Sequence, residues 1–215
     1  MKTKRSFRLE LVAGASRSGK TFLTAERIKK DRNVLIWDSM GEFAAMPGYS
    51  GTTSPVALAE HMDKGATGKF CMVAPVTAAN FDVFCRAAWR WILVHASHGR
   101  VVTIVVEELA DVTPPGKAPE AWGMIVRRSL RFFTHVYALT QRPAESDKTV
   151  MGNATILRCH AMARADDRKT MARELDTDQG RIDTLDFSRY QYIERDRLSR
   201  RLTTGGKGLK TRIIV

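Results

Sequence analysis

Residues 14–21 of this 215-residue sequence read GASRSGKT, which is the spacing of a loop that holds phosphate groups. Gly14 and Gly19 allow the backbone to turn so that its N–H groups point at a bound phosphate. We expect Lys20 to reach the β- and γ-phosphates and Thr21 to be a ligand of Mg²⁺. The stretch therefore predicts an ATP and Mg²⁺ site whose binding residues are Gly14, Ala15, Ser16, Arg17, Ser18, Gly19, Lys20 and Thr21.

Two adjacent acids end the apolar run VVTIVVEE at 101–108. Transfer of a phosphoryl group to water needs one carboxylate that orders the metal and another that orients the attacking water. We assign Glu107 to the water shell of the metal and Glu108 to the catalytic base. Two solvated acids at the end of a strand are the alternative interpretation.

A further polar group ends the apolar run HVYALTQ at 135–141. Gln141 is placed to hydrogen-bond the γ-phosphate or the attacking water, although a glutamine at a strand end can also be structural. Arg142 follows directly and is a candidate sensor or a surface cation.

The chemistry-bearing residues lie between alternating strand-like and helix-like segments. Continuous β-branched runs separated by helices indicate a parallel sheet covered on both faces. The sequence therefore predicts an α/β, three-layer P-loop NTPase with a mainly parallel central sheet. The predicted strands are 7–13, 33–38, 69–75, 101–108, 135–141 and 154–162, and the predicted helices are 21–30, one capped by Asn80, and 120–133. On the helix after Asn80, helical spacing predicts an apolar face of Phe81, Phe84, Cys85, Ala88, Trp89, Ile92 and Leu93.

The pattern weakens after residue 176. We therefore predict a P-loop ATPase core at 1–176 and a basic C-terminal extension at 177–215, packed on the core or projecting from it. Residues 195–212 carry seven Lys or Arg and one Asp, as a basic tail or as a hairpin turning at Gly205 and Gly206. A disordered, solvated tail is the alternative.

The chain has 35 Lys and Arg against 23 Asp and Glu, a net charge of +12. This excess favours a polyanionic partner, with nucleic acid first, although a basic surface on an unrelated soluble protein is the alternative. No base-reading motif is recognisable, so we expect contacts to phosphates of double-stranded DNA without sequence preference.

Other features limit the compartment. Cys71, Cys85 and Cys159 lack metal-ligand spacing, which predicts buried, reduced thiols. No apolar run reaches 18 residues, so we expect no transmembrane segment. A secretion signal is not expected either, because charged residues interrupt any apolar run near the N-terminus, which holds Lys2, Lys4, Arg5, Arg8 and Glu10.

Four stretches together carry a family resemblance: GASRSGKT, IWDSMGEF, IVVEE and LTQRP. Over most of 7–165 the chain resembles the FtsK–HerA superfamily of DNA-pumping ATPases, whose fold is RecA/ASCE-like. Its D-x-x-G-E-[FY] segment is matched by Asp38, Gly41, Glu42 and Phe43, and its strand-ending glutamine by Gln141. The chain departs at Glu107, where the superfamily usually has Asp. Its length is similar to that of the genome-packaging ATPases of tailless, membrane-containing icosahedral bacteriophages.

The resemblance implies a motor that hydrolyses ATP and translocates double-stranded DNA into a preformed capsid. It implies a homo-oligomeric ring, expected to be a hexamer, in the host cytoplasm and at the virion's packaging vertex. Capsid-vertex or membrane-associated viral proteins are the implied partners. An arginine of one subunit completes the neighbour's site, and the candidates here are Arg127, Arg128, Arg131 and Arg142. A basic helix face towards solvent or DNA is the alternative for the first three.

Three other functions remain open from the sequence. A small-molecule or nucleotide kinase also has a phosphate loop, but it needs no glutamate base for water. A GTP switch would use DSMG at 38–41, but no N-K-x-D guanine motif is present. A soluble DNA pump without a packaging role, of the plasmid-mobilisation or filamentous-phage-assembly type, shares the same core motifs.

Overall fold

A ten-stranded sheet runs through residues 7–214, the part of the chain that the computed structural model describes. Lys2, Lys4 and Arg5, on which part of the secretion-signal argument rests, lie outside the described residues. The strand order is β10-β9-β8-β7-β1-β6-β5-β2-β4-β3. The strands are β1 Leu9–Ala13, β2 Val34–Trp37, β3 Ser50–Thr52, β4 Lys69–Met72, β5 Val102–Val106, β6 Thr134–Thr140, β7 Ile156–His160, β8 Tyr192–Asp196, β9 Arg201–Gly206 and β10 Leu209–Ile213.

Strands β1 to β7 pair in parallel, and β8 to β10 continue the sheet in antiparallel order. The predicted α/β fold with a mainly parallel sheet is therefore confirmed. The helices are α1 Lys20–Ile28, α2 Pro55–Asp63, α3 Ala78–Ser97, α4 Leu109–Val112, α5 Glu120–Arg128, α6 Lys148–Asn153, α7 Ala165–Leu175 and α8 Gln179–Asp183, with a 3₁₀ turn at Ser129–Phe132.

Side chains of the central strands alternate between two apolar clusters, one on each face of the sheet. Leu35 and Trp37 of β2 join the cluster that includes α3 and α5, whereas Val34 and Ile36 join the cluster that includes Ile28 of α1. The alternation follows from the two-residue period of a strand. Both faces are buried, which explains why these strands read as continuous apolar runs.

Helix α3 begins earlier than predicted. Thr77 is the N-cap residue, since its hydroxyl oxygen accepts a hydrogen bond from the backbone N–H of Asn80 at 3.2 Å. The prediction that Asn80 caps the helix is therefore wrong. The predicted apolar face also needs correction, because Leu93 is 39% exposed and Trp91 is buried. Trp91 lies seven residues after Phe84, which keeps it on the inward face.

The predicted helix 120–133 is shorter than expected. Helix α5 ends at Arg128, and the chain continues as the 3₁₀ turn up to Phe133, whose φ is +54°. Helices α2, α4, α6, α7 and α8 and strands β3 and β8 were not predicted. Ser54 caps α2 by accepting from the N–H of Ala57, and Pro55 occupies its first turn. This Ser-Pro pair is a helix-start signal that sequence reasoning missed.

The C-terminal residues add β8, β9 and β10 to the edge of the sheet beside β7. The prediction of a hairpin turn at Gly205 and Gly206 is wrong in position, because β9 runs through Gly206 and the turn falls at Lys207 and Gly208. At Gly206 a Cβ would lie 2.7 Å from the carbonyl oxygen of Arg189. The glycine is therefore required for close approach of another segment. A domain boundary at residue 176 stays a prediction.

A largely buried ion-pair network joins β8 to β1, β7 and α1. Arg158 of β7 is fully buried and hydrogen-bonds both Glu10 of β1, at 3.3 Å, and Glu194 of β8, at 2.9 Å. Arg27 of α1 contacts the same two carboxylates at 2.9 and 2.8 Å. Burial raises the pKa of Glu10, whereas the charges of Arg27 and Arg8 oppose this shift and that of Glu194 adds to it. The network therefore connects α1, the helix after the phosphate loop, to β8.

Replacing Arg158 with methionine should lower the free energy of unfolding by about 3 kcal/mol, because Glu10 would remain buried with less compensating charge. Urea denaturation measures this difference. The matched control is Arg86→Met, which breaks an exposed pair with Asp82 and should change stability little. Equal stability of Arg158→Met and the parent protein would show that desolvation cancels the attraction within the network.

Candidate nucleotide-binding site

The loop of residues 14–19 joins β1 to α1 and is fixed to the neighbouring strands. The N–H of Gly14 donates to the carbonyl of Thr140 at 3.1 Å, and the N–H of Ala15 donates to that of Ala161 at 2.9 Å. A Cβ on Gly14 would lie 2.5 Å from Ser18 Oγ, and Gly19 has a φ of +97°. Both glycines are therefore needed, one for space and one for conformation. The strand–loop–helix context that the motif requires is present.

Lys20 lies inside the loop. It is 6% exposed, and its ammonium group donates to the carbonyl of Ala15 at 3.1 Å. Burial lowers the pKa of Lys20, while the carboxylates of Glu108, Glu107 and Glu42 oppose this shift. The ammonium is thus held among acids and backbone dipoles at the place where the motif predicts phosphate contact.

The two acids after β5 diverge because the backbone turns between them. The N–H of Glu107 still donates to the carbonyl of Trp37, at 3.0 Å, and so continues the sheet ladder. Glu108 has φ +44° and ψ +55°, a left-handed conformation that non-glycine residues seldom adopt, and it precedes helix α4. This turn allows both side chains to reach one cavity, although neighbouring strand residues normally face opposite sides.

Glu107 contacts the predicted magnesium ligand. The hydroxyl of Thr21 donates to Glu107 Oε1 at 3.0 Å. Burial and the neighbouring Asp38 carboxylate raise the pKa of Glu107 to about 9, and the Thr21 hydrogen bond opposes the rise. Glu107 Oε2 and Asp38 Oδ1 are buried, and neither accepts a hydrogen bond from an N–H group or a hydroxyl within residues 7–214.

These features fit a hydrated Mg²⁺. Buried carboxylate oxygens without partners, beside a threonine hydroxyl, are hard oxygen ligands of the kind that Mg²⁺ takes, with water and phosphate completing its shell. A bound divalent cation would also offset the proximity of Asp38 and Glu107. No group of three or more His, Cys, Asp or Glu side chains is placed to hold a metal ion in the described part of the chain.

Glu108 is held by the predicted glutamine. Gln141 Nε2 donates to Glu108 Oε1 at 2.8 Å, and the backbone N–H of Gln141 lies 3.3 Å from Oε2. Glu108 follows β5 and Gln141 follows β6, and these strands are adjacent and parallel. We predicted a contact from Gln141 to phosphate or water, and here its amide orients the adjacent carboxylate.

A cavity of about 440 Å³ collects these groups. The loop contributes Ser16, Arg17, Gly19, Lys20 and Thr21, and the acids and glutamine contribute Glu42, Glu107, Glu108 and Gln141, while Phe22, Met40, Asp111 and Tyr190 complete the lining. Most of the predicted nucleotide-binding and catalytic residues therefore meet at one place, whereas Gly14, Ala15 and Ser18 of the loop do not line the cavity. Sequence reasoning missed Phe22, Met40, Asp111 and Tyr190 as lining residues, since no motif marks them.

The segment after β2 contributes an acid and an anchor. Asp38 Oδ2 accepts a hydrogen bond from the N–H of Ala44 at 2.7 Å, which closes a turn that passes through Gly41 at φ +72°. Phe43 is fully buried and meets the ring of Tyr49. The turn leaves Glu42 facing the cavity. Asp38 served only as part of a family motif in the sequence, and its closeness to Glu107 emerges from the fold.

No protein-family model matches the chain. The chain is 32% identical to protein P9 of Pseudoalteromonas phage PM2 over 177 aligned residues. The alignment covers 82% of this chain and 78% of P9. The chain belongs to the P9 family. This match to a bacteriophage protein agrees with the resemblance to ATPases of bacteriophages.

Solved structures agree with the fold of this P9-family protein. The genome-packaging NTPase B204 from Sulfolobus turreted icosahedral virus 2, in complex with AMPPCP, matches with a TM-score of 0.73 at 14% identity, over 95% of this chain and 100% of that one. The same protein with ATPγS gives a TM-score of 0.73 at 15% identity, over 95% and 99%. B204 of Sulfolobus turreted icosahedral virus, described as a DNA-packaging ATPase, gives 0.71 at 16%, over 93% and 97%.

The candidate arginines of this P9-family chain lie in two places. Arg127, Arg128 and Arg131 are exposed at the end of α5 and in the 3₁₀ turn, just before β6 begins. They therefore lie near the N-terminal end of β6, whereas the phosphate loop of the same subunit lies at the C-terminal end of the parallel strand β1. Arg142 follows β6 and forms ion pairs with Asp167, at 3.2 Å, and with Glu145. Its guanidinium is thus engaged within its own chain.

His160 lies beneath the phosphate loop and titrates abnormally. Burial, followed by the charge of Lys20, lowers the pKa of His160 to about 3. The unfolded chain, with a histidine pKa of about 6.5, binds a proton in this range that the folded chain does not bind. The contribution of His160 to the free energy of unfolding is therefore fully present above pH 6.5, roughly the pKa of histidine in the unfolded chain, and is lost as the pH falls below that value.

We expect this histidine to contribute a loss of about 1.4 kcal/mol of unfolding free energy per pH unit below about pH 6.5. Urea denaturation at pH 7, 6 and 5 should show a shallower loss for His160→Gln than for the parent protein. The comparison of slopes removes the contribution of the other titrating groups, which both proteins share. Parallel slopes would mean that His160 is protonated in the folded state.

The three cysteines are buried and free, and no helix in residues 7–214 is long and apolar enough to cross a membrane.

Proposed function

We propose that this protein is an ATP-hydrolysing motor that translocates double-stranded DNA and packages a viral genome into a preformed capsid. The observation that carries the proposal is the meeting of the phosphate loop, the Thr21–Glu107 hydrogen bond and the Gln141-held Glu108 in one cavity of a P9-family chain. These are the parts that hydrolysis of a nucleoside triphosphate by water requires.

The roles follow from position. The loop N–H groups and Lys20 bind the phosphates, and Thr21 and Glu107 would hold Mg²⁺, partly through water. Mg²⁺ held there would supply positive charge that offsets the charge of the phosphates. Glu108 orients the attacking water and accepts its proton. Gln141 keeps the Glu108 carboxylate in a fixed orientation through its 2.8 Å hydrogen bond.

A surface for DNA is available on the C-terminal hairpin. Four basic residues on β9, β10 and their turn are exposed and have no ion pair within the described residues: Arg201, Lys207, Lys210 and Arg212. Together with the net charge of +12, this supports contact with phosphates of any sequence.

DNA binding should weaken steeply with salt, with a log–log slope of about −0.9 for each phosphate contacted. The double substitution of Lys210 and Arg212 by alanine should make this slope less negative by about 2, since each cation neutralises one phosphate. Fluorescence anisotropy with unrelated duplexes measures both. Tight binding to a single sequence would contradict the motor function.

The remaining partners are also proposals. We infer a homo-oligomeric ring, a hexamer, located in the host cytoplasm and at the capsid vertex, with capsid or membrane-associated viral proteins as docking partners. Because Arg142 is paired within its own chain, Arg127, Arg128 and Arg131 are the stronger candidates for insertion into a neighbouring subunit's site.

ATP turnover with and without duplex DNA tests the function. A motor should be stimulated by DNA, whereas a small-molecule kinase should be indifferent to it. Strong preference for GTP in a nucleotide competition assay would favour the switch function instead. Stimulation by DNA without packaging into capsids would favour a soluble DNA pump of the plasmid-mobilisation or filamentous-phage-assembly type.

A further inference from the structure

Two aromatic side chains lie beside the phosphate loop and have no part in the chemistry assigned to it. Phe22 follows Thr21 in the first turn of α1, and Tyr190 comes from the segment between α8 and β8. Their ring centroids are 5.4 Å apart, and both residues line the nucleotide cavity. Phe22 is 42% exposed, so part of its ring is accessible to a ligand in the cavity.

The backbone holds Tyr190 directly against the loop. A Cβ on Gly19 would lie 2.5 Å from the Cβ of Tyr190, so the tyrosine packs where only glycine leaves room. Tyr190 has a φ of +49°, and its N–H donates to the carbonyl of Phe187 at 3.1 Å. A strained backbone that the surrounding structure maintains is typical of functional sites.

The C-terminal hairpin supports this arrangement. The N–H of Lys207 donates to the carbonyl of Arg189 at 2.7 Å, and its ammonium lies 5.3 Å from the Phe22 ring centroid and 5.5 Å from that of Tyr190. Lys207 lies outside the cavity lining, so the aromatic surface that faces the cavity stays accessible.

The strand order places Phe22 and Tyr190 on the side of the cavity where the base of a nucleotide would lie. Glu108 and Gln141 follow β5 and β6, on one side of β1, whereas Tyr190 leads into β8, beyond β7 on the other side. Because the acids and the glutamine mark the γ-phosphate end, the base must lie towards the β7–β8 side.

We propose that Phe22 and Tyr190 form the surface on which the nucleobase of the bound nucleoside triphosphate stacks, an inference that rests on the proposed nucleotide function. Every base has an aromatic face, so this contact is tolerant of base identity. It gives the C-terminal segment a role in nucleotide binding, because Tyr190 and its support lie within residues 177–215.

The experiment compares binding of Mg²⁺-ATP, Mg²⁺-GTP and Mg²⁺-tripolyphosphate by isothermal titration calorimetry. Tyr190→Ala should weaken ATP and GTP alike, by about tenfold or more, and leave tripolyphosphate affinity unchanged. Tyr190→Phe keeps the ring and should bind like the parent protein. Phe187→Ala is the matched control, because Phe187 is an exposed aromatic residue of the same segment that does not line the cavity.

Three results would overturn the inference. Equal weakening of ATP and tripolyphosphate by Tyr190→Ala would show that the tyrosine only shapes the phosphate loop. Unchanged ATP affinity would show that the base lies elsewhere. Weakening of ATP by Tyr190→Phe as large as that by Tyr190→Ala would show that the hydroxyl, and not stacking on the ring, makes the contact. If the parent protein bound neither ATP nor tripolyphosphate, the nucleotide function itself would fail, which the titration of the parent protein shows before any variant is made.

Discussion

Glu108→Gln should lower the rate of ATP hydrolysis by about 10²–10⁴-fold while leaving ATP binding intact. The glutamine keeps the size of the side chain and its place beside Gln141, but it cannot accept a proton from water. Steady-state turnover with and without duplex DNA, combined with a separate titration of Mg²⁺-ATP, distinguishes loss of chemistry from loss of binding. The defect should be present in both conditions, since DNA stimulation acts on the same chemical step.

Asp111→Asn is the matched control for this experiment. Asp111 lines the same cavity and loses one negative charge in the variant, but its side chain makes no hydrogen bond to Gln141 or Thr21 within the described residues. Turnover by Asp111→Asn should stay close to that of the parent protein. If Glu108→Gln hydrolysed ATP normally, the assignment of Glu108 as the base would be wrong, and Glu107 would become the candidate.

Lys20→Ala should abolish nucleotide binding, hydrolysis and genome packaging while leaving the fold intact. Lys20 is the cation within the loop, so its loss removes the charge that attracts the β- and γ-phosphates. The fold should survive because burial disfavours the charged form of Lys20, which offsets the loss of its hydrogen bond to Ala15 and of its attraction to the neighbouring glutamates. Calorimetric titration with Mg²⁺-ATP and a thermal unfolding curve measure the two properties independently.

Lys29→Ala provides the control for charge alone. Lys29 follows the end of the same helix, its side chain is 70% exposed, and it pairs only with the exposed Glu26 within the described residues. Its removal should change neither ATP affinity nor packaging. Lys20→Ala that binds ATP with parental affinity would contradict the role of residues 14–21 as the phosphate loop.

The sequence alone determined the local units of this site. The glycine and lysine spacing at 14–21 and the apolar runs that became β1, β5 and β6 could be predicted, because backbone turns and burial on both faces of a strand impose residue types over short distances. Element ends were less predictable. Thr77 rather than Asn80 caps α3, since capping depends on which hydroxyl meets the free N–H groups.

Only the tertiary structure decided how the units meet. The strand order places Gln141 against Glu108 and Asp38 beside Glu107, and the left-handed backbone at Glu108 turns both acids into one cavity. The tertiary structure also pairs Arg142 with Asp167 and Glu145, so its guanidinium is engaged within its own chain. Tyr190 reaches Gly19 from the far end of the chain. No periodicity encodes such contacts, because they arise from the pairing of strands and the free energy of burying distant segments together.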